Sequence, residues 1–191
     1  MSIAGPRGAS VRRQDMLALL RWTLPTLREA LASLPDRLLI VSAGDPMWRG
    51  GLSGPGSLFL HAHRPLISED GTSPVLHEVV HAALRLQPGT DGDWAIEGLA
   101  EYYSLQALGR SGMVSPERME EAYQSLAKRG AEAAHLRSGT ISGAGTARAV
   151  TVLRALDQRI RDATDQTRSL DDVARLLIRE GGTASTARVQ E

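Results

Sequence analysis

The sequence predicts an α+β domain, mainly α-helical, with a small sheet near its N-terminus and a C-terminal helical part. Three observations predict it. Apolar residues recur at helical spacing through most of the chain, two short β-rich runs fall between residues 36 and 63, and two helical runs open on Ser-Pro. A chain of 191 residues, 42% hydrophobic, holds enough apolar surface for one well-buried core and little more. The expectation is therefore one domain over 1–191, with a helix and small sheet in 1–72, a central helix pair in 73–109 and C-terminal helices in 110–191.

From Gln14 to Leu34, leucines at helical spacing predict a helix that Pro25 kinks or divides. DRLLIVSAG reads as a short buried strand ending at Gly44, and SLFLHAH as a second strand. Between them GDPMWRGGLSGPG carries five glycines and two prolines and predicts a loop. Ser73 and Pro74 form an N-cap and first helical residue for the run that ends at Pro88 and Gly89. The polar loop PGTDGD separates it from a helix over Trp94 to Leu108, interrupted only by Gly98. SPERMEEAYQSLAKRG repeats the Ser-Pro start and has the charge pattern of an exposed amphipathic helix. HLRSGTISGAGT reads as a flexible loop, Ala147 to Thr164 as a helix, and SLDDVARLLIRE as another helix whose Ser169 and Asp172 form a capping box. The closing GGTASTARVQE reads as a frayed tail.

Composition narrows the function. Lys+Arg and Asp+Glu number 22 each, so the formal net charge is zero and no nucleic-acid partner is indicated. The absence of cysteine removes disulfides and thiolate metal sites, leaving imidazole and carboxylate as the available metal ligands. The apolar run LALL near the start is too short for a signal-peptide core, and no stretch approaches the roughly 20 apolar residues of a membrane span. The expectation is a soluble, cytoplasmic chain without a membrane partner.

The chemistry concentrates in VLHEVVHA. On a helix, His77 and His81 stand one turn apart on one face and can direct both rings at one point, as zinc requires of its nitrogen ligands. Glu78 sits on the adjacent edge, placed to act as general base on a water rather than as a ligand. A chance HExxH arises in about one chain in a hundred of this kind, so the motif needs a third ligand to carry weight. DWAIEGLAEYY supplies two carboxylates, Glu97 and Glu101, on the next helix, and antiparallel packing brings one or both back to the histidine pair. A carboxylate on that packed face also needs a charged partner.

HEVVH followed by WAIEGLAEYY resembles the gluzincin superfamily of zinc metallopeptidases, with its W-x-x-E-G-x-x-x-Y signature on the second helix. The resemblance implies a thermolysin-like zincin catalytic domain, one Zn²⁺ held by His77, His81 and Glu97, Glu78 as catalytic base, and Glu101 orienting a ligating imidazole. AVTVLRALDQRIRDATDQTRSLDDVARLL is similar to the helix pair that follows the zinc site in the glycyl aminopeptidase family. That likeness implies a peptide or protein substrate and peptide-bond hydrolysis. It aligns Gly51, Leu52 and Ser53 with the family's substrate-binding stretch, where Ser53 replaces the carboxylate that binds a free amino terminus. The tyrosine that donates to the oxyanion in those enzymes has no counterpart before the L-D helix, and His135 is a further candidate donor. Those families also carry flanking β-rich and peptide-binding domains that 191 residues have no room for, so the expectation is a minimal catalytic domain, a fragment, or a relative with a changed task. With the missing acid and tyrosine, this makes a zinc-binding, catalytically degenerate domain acting in binding or regulation the alternative.

The remaining polar and aromatic residues have plainer expectations. His61 and His63 share a face, either at a half-exposed strand edge or in contact with substrate or a second ion, and Trp48 is a structural plug or part of a specificity pocket. Trp94 anchors the core and Arg64 is solvated. Glu120 and Glu121 are exposed helix charge, whereas Asp171 and Asp172 belong to a cap.

Overall fold

The computed structural model describes residues 1–8, 10–136 and 140–187. Its first half builds a four-stranded sheet of order β1-β2-β4-β3, from β1 (Ser2–Ala4), β2 (Leu39–Ala43), β3 (Gly51–Gly54) and β4 (Ser57–His61). The first three in that order run parallel, and β3 closes one edge antiparallel to β4, pairing Leu52 with Phe59. Helix α1 (Arg13–Leu31) lies between β1 and β2 in sequence, and its Leu20, Leu27 and Leu31 are buried in the core with Ile40, Leu58 and Leu60 of the sheet. Pro25 does not divide α1. Pro25 and Arg21, whose carbonyl loses its helical partner, are both on the exposed side, where solvent can satisfy that carbonyl.

The expected loop between the strands holds β3. Glycine and serine disfavour a strand, but pairing along β4 overrides so weak a propensity at a sheet edge. Nor is the start of the chain idle: Ile3 pairs in register with Ile40.

The second half is helical: α2 (Pro74–Leu84), α3 (Asp93–Arg110), α4 (Pro116–Gly130), α5 (Ala144–Ala163) and α6 (Leu170–Glu180). Ser73 caps α2 by accepting from the Leu76 N–H, Ser115 caps α4, and Ser169 with Asp172 forms the expected capping box on α6. Helices α2 and α3 pack antiparallel through a short connection that contains β5 (Gln87–Pro88). The supposed frayed tail returns here: β6 (Thr183–Ala184) pairs parallel with β5, and Ala184 is buried. Of the segment expected to be a flexible loop, residues 137–139 lie outside the described part, as do tail residues 188–191.

Several single-residue expectations change. Asp171 is not a capping residue on the surface; it is buried and accepts from the two terminal nitrogens of the Arg110 guanidinium, at 2.8 and 3.1 Å. His61 is buried rather than half-exposed. The strand ends at His61, so the alternation that would pair it with His63 stops there, and His63 is exposed. Trp48 is 65% exposed, which rules out a plug. Trp94 is buried, Arg64 is exposed, and Glu120 and Glu121 are exposed partners of Arg154 and Arg118.

Candidate metal centre

Helix α2 presents His77, Glu78 and His81 to a cleft of about 960 Å³. Its opposite wall is the β3 edge, and its end wall is the start of α3 with Asp93, Ile96 and Glu97. The apolar face of α2, with Val75, Leu76, Val79 and Val80, is fully buried, and this fixes the rotation that turns the histidines outward.

The side chains converge. His77 Nε2 stands 3.0 Å from His81 Nε2 and 3.3 Å from Glu97 Oε2, and His81 Nε2 stands 3.2 Å from Glu97 Oε1. Ligand atoms placed tetrahedrally around zinc at 2.0–2.1 Å are separated by about 3.3–3.5 Å. The observed separations lie within a few tenths of an ångström of that, and the N,N,O donor set suits zinc. Among the described residues no other group of three histidines or carboxylates meets at one point in this way.

Glu101, one turn after Glu97, accepts a 2.7 Å hydrogen bond from His77 Nδ1. A carboxylate accepts only, so Nδ1 carries the proton and a neutral His77 offers its Nε2 lone pair to the shared point. Burial works against a charged His77, but the hydrogen bonds to Glu101 and then Glu97 outweigh it and raise the imidazole to about 10. Burial likewise works against a charged Glu97, and the bonds to His77 and His81 overcome it, holding the carboxyl at about 2. His77 thus forms a charge pair with Glu97 and Glu101, and its Nε2 proton sits where a cation would stand.

Glu78 does not share this cluster. Burial raises its carboxyl above the ordinary range, partly offset by the two histidines and a hydrogen bond with Ser53. Gly51 makes the close approach possible, because a Cβ there would stand 2.6 Å from Glu78 Oε1. Gly51, Leu52 and Ser53 all line the cleft, with Leu52 65% exposed. The cleft also takes in Arg37 and Arg85, which the sequence reading passed over; Arg85 lies one turn beyond His81, a spacing that signals it.

The tyrosines lie elsewhere. Tyr102 donates to Asp157 at 3.0 Å, Tyr103 is fully buried, and Tyr123 accepts from Gln106 at 2.8 Å. His135 is exposed and does not line the cleft.

No family model matches the chain, and no curated protein does. Solved structures do. A crystal structure of an aminopeptidase N family protein from Idiomarina loihiensis matches 93% of this chain with a TM-score of 0.70 at 17% identity. The chain has a gluzincin aminopeptidase-like fold. The M1 zinc metallopeptidase of Deinococcus radiodurans matches 96% at TM-score 0.60 and 19% identity, and a point mutant of it matches 97% at 0.66 and 18%. The chain spans 38% of the Idiomarina chain and 41–42% of the Deinococcus chains. At these identities the likeness establishes the fold.

Proposed function

We propose that this chain is a thermolysin-like zincin catalytic domain that hydrolyses peptide bonds with zinc. The observation that carries the reading is the convergence of His77, His81 and Glu97 beside a separate buried carboxylate, Glu78. A zinc ion held by the three supplies Lewis-acid polarisation of water and of the scissile carbonyl. Glu101 holds His77 in the tautomer that leaves Nε2 free. Glu78 takes a proton from the attacking water and passes it to the leaving amine, and its raised carboxyl makes it a stronger acceptor than an exposed glutamate. The Gly51–Gly54 edge strand offers backbone N–H and C=O groups to an extended peptide, and Gly51 lets that peptide lie close to the base. One solved structure of the Deinococcus enzyme holds a Tyr-Ser-Ala substrate, which fits a peptide role for a cleft of this kind.

The test is Glu78→Gln. It is expected to retain stoichiometric zinc and lose hydrolysis by two or more orders of magnitude across a peptide library. A variant that cleaves like wild type would falsify the assignment of the base. The second reading, a zinc-binding domain that has lost hydrolysis and acts in binding or regulation, is favoured by Ser53 in place of an amine-binding acid and by the tyrosines' remoteness from the cleft. Wild-type protein that carries zinc and cleaves nothing in the library would select it.

A further inference from the structure

We propose that Thr186 is a positioning residue for Glu97, locking the first turn of α3 so that the carboxylate meets the histidines; this rests on the zinc reading above. Helices α2, α4 and α6 each begin on a serine whose side chain caps a backbone N–H, whereas α3 begins after Gly92, with no side-chain cap. The segment running through β6, from far along the chain, instead holds the connection that leads into α3. Gln87 N–H donates to Gly182 O at 3.1 Å and Gly89 N–H to Ala184 O at 2.8 Å. The fit leaves no room, since a Cβ at Gly89 or Gly92 would stand 2.7 or 1.9 Å from Ala184 O.

Thr186 completes the contact and uses its hydroxyl in both senses. Oγ1 donates to Asp91 O at 3.0 Å and accepts from Trp94 Nε1 at 3.0 Å, and the Thr186 N–H donates to Asp91 Oδ1 at 3.3 Å. Both Trp94 and Thr186 are buried, at 7% and 5% exposure, so these bonds have no water to replace them. Trp94 precedes Glu97 by three positions and so stands beside it on the helix surface.

The required tolerance explains why a lock is needed. Side-chain ends lie about 5–6 Å from a helix axis, and a metal–ligand distance tolerates about 0.2 Å. With the Glu97 rotamer held, rotation of α3 by only about 2° therefore exhausts that tolerance. The buried bond from the Trp94 indole N–H to Thr186 Oγ1 adds a directional restraint to the apolar packing that orients α3.

The experiment compares full-length wild type, Thr186→Val and Thr186→Ser by zinc affinity in chelator competition and by the visible absorption of the Co²⁺-loaded proteins, below their melting temperatures. Thr186→Val is expected to weaken zinc about tenfold or more and to change the Co²⁺ spectrum, and Thr186→Ser to restore both. Ser115→Ala, which removes the cap of α4, is expected to lower Tm while leaving affinity and spectrum unchanged. Wild-type affinity and spectrum in Thr186→Val would overturn the proposal. If that variant does not fold, Trp94→Phe decides, since it keeps an aromatic ring at the site and loses the indole N–H together with part of the ring: weaker zinc supports the lock and unchanged zinc refutes it. Wild type that binds no zinc overturns the zinc reading itself.

Discussion

Zinc binding is expected to displace a proton from His77, and the size of that effect follows from its surroundings. With the imidazole raised to about 10 by Glu101 and Glu97, His77 is protonated throughout the neutral range, yet a ligating histidine must be neutral. Apparent zinc affinity should therefore climb by up to tenfold per pH unit from neutrality toward 10, or about 1.4 kcal/mol per unit. Glu101→Gln removes the largest of the influences that raise His77, so the variant should give up less proton on binding. At pH 8 an imidazole with the ordinary value of 6.5 is already neutral and releases almost nothing, whereas wild-type His77 releases close to one proton. A water on zinc ionises near 7 and adds its own proton, but equally in both proteins. Calorimetry in two buffers of different ionisation heat counts the protons. Wild type should exceed Glu101→Gln by a sizeable fraction of one; equal release from the two would refute the charge pairing of His77 with its carboxylate partners.

The same pair sets the pH dependence of zinc-free stability. A raised histidine contributes stability below its unfolded value of 6.5 and loses it as pH climbs toward 10, while the lowered Glu97 contributes above 4.5 and loses it as pH falls toward 2. Thermal melts of zinc-free protein should thus show this contribution at full strength between 4.5 and 6.5, and a contribution still growing above pH 8 would contradict it. At Gly51, alanine would bring a methyl to 2.6 Å from Glu78 Oε1 and push the base aside, so Gly51→Ala should keep zinc and lose about a hundredfold in kcat. Steady-state kinetics on zinc-loaded protein checks this, and an unchanged kcat would mean that Glu78 has no fixed working position.

The parts of this site legible in the sequence are those written in local periodicity. His77 and His81 face one way because a helix turn is four residues, and Glu97 joins them because a short connection forces α3 to run back along α2. Glu101 follows from the same spacing. What was not legible depends on pairing between distant segments. The strand β3 is spelled by Gly, Leu, Ser and Gly, whose intrinsic preference is for a loop; only the neighbouring β4 makes it a strand and brings Ser53 to Glu78. Asp171 looked like half of a capping pair because Arg110, its actual partner, lies 61 residues away.

The tail carries this reasoning furthest. Small polar residues such as those of GGTASTA are what a frayed terminus contains, and also what a segment needs if it is to lie against another backbone without intervening side chains. The two cases differ only in whether the other surface is equally bare. Gly89 and Gly92 make it so, and they stand in the very connection that links the two helices bearing the proposed ligands. A helix pair joined by so glycine-rich a turn has little local stiffness of its own, since glycine gives up more conformational freedom than any other residue on folding. Tertiary contact must supply the stiffness. The glycines that weaken the turn are also what admits the strand that holds it, and so the third ligand's position depends on residues some 90 positions away, even though the HExxH motif and Glu97 lie close together in sequence.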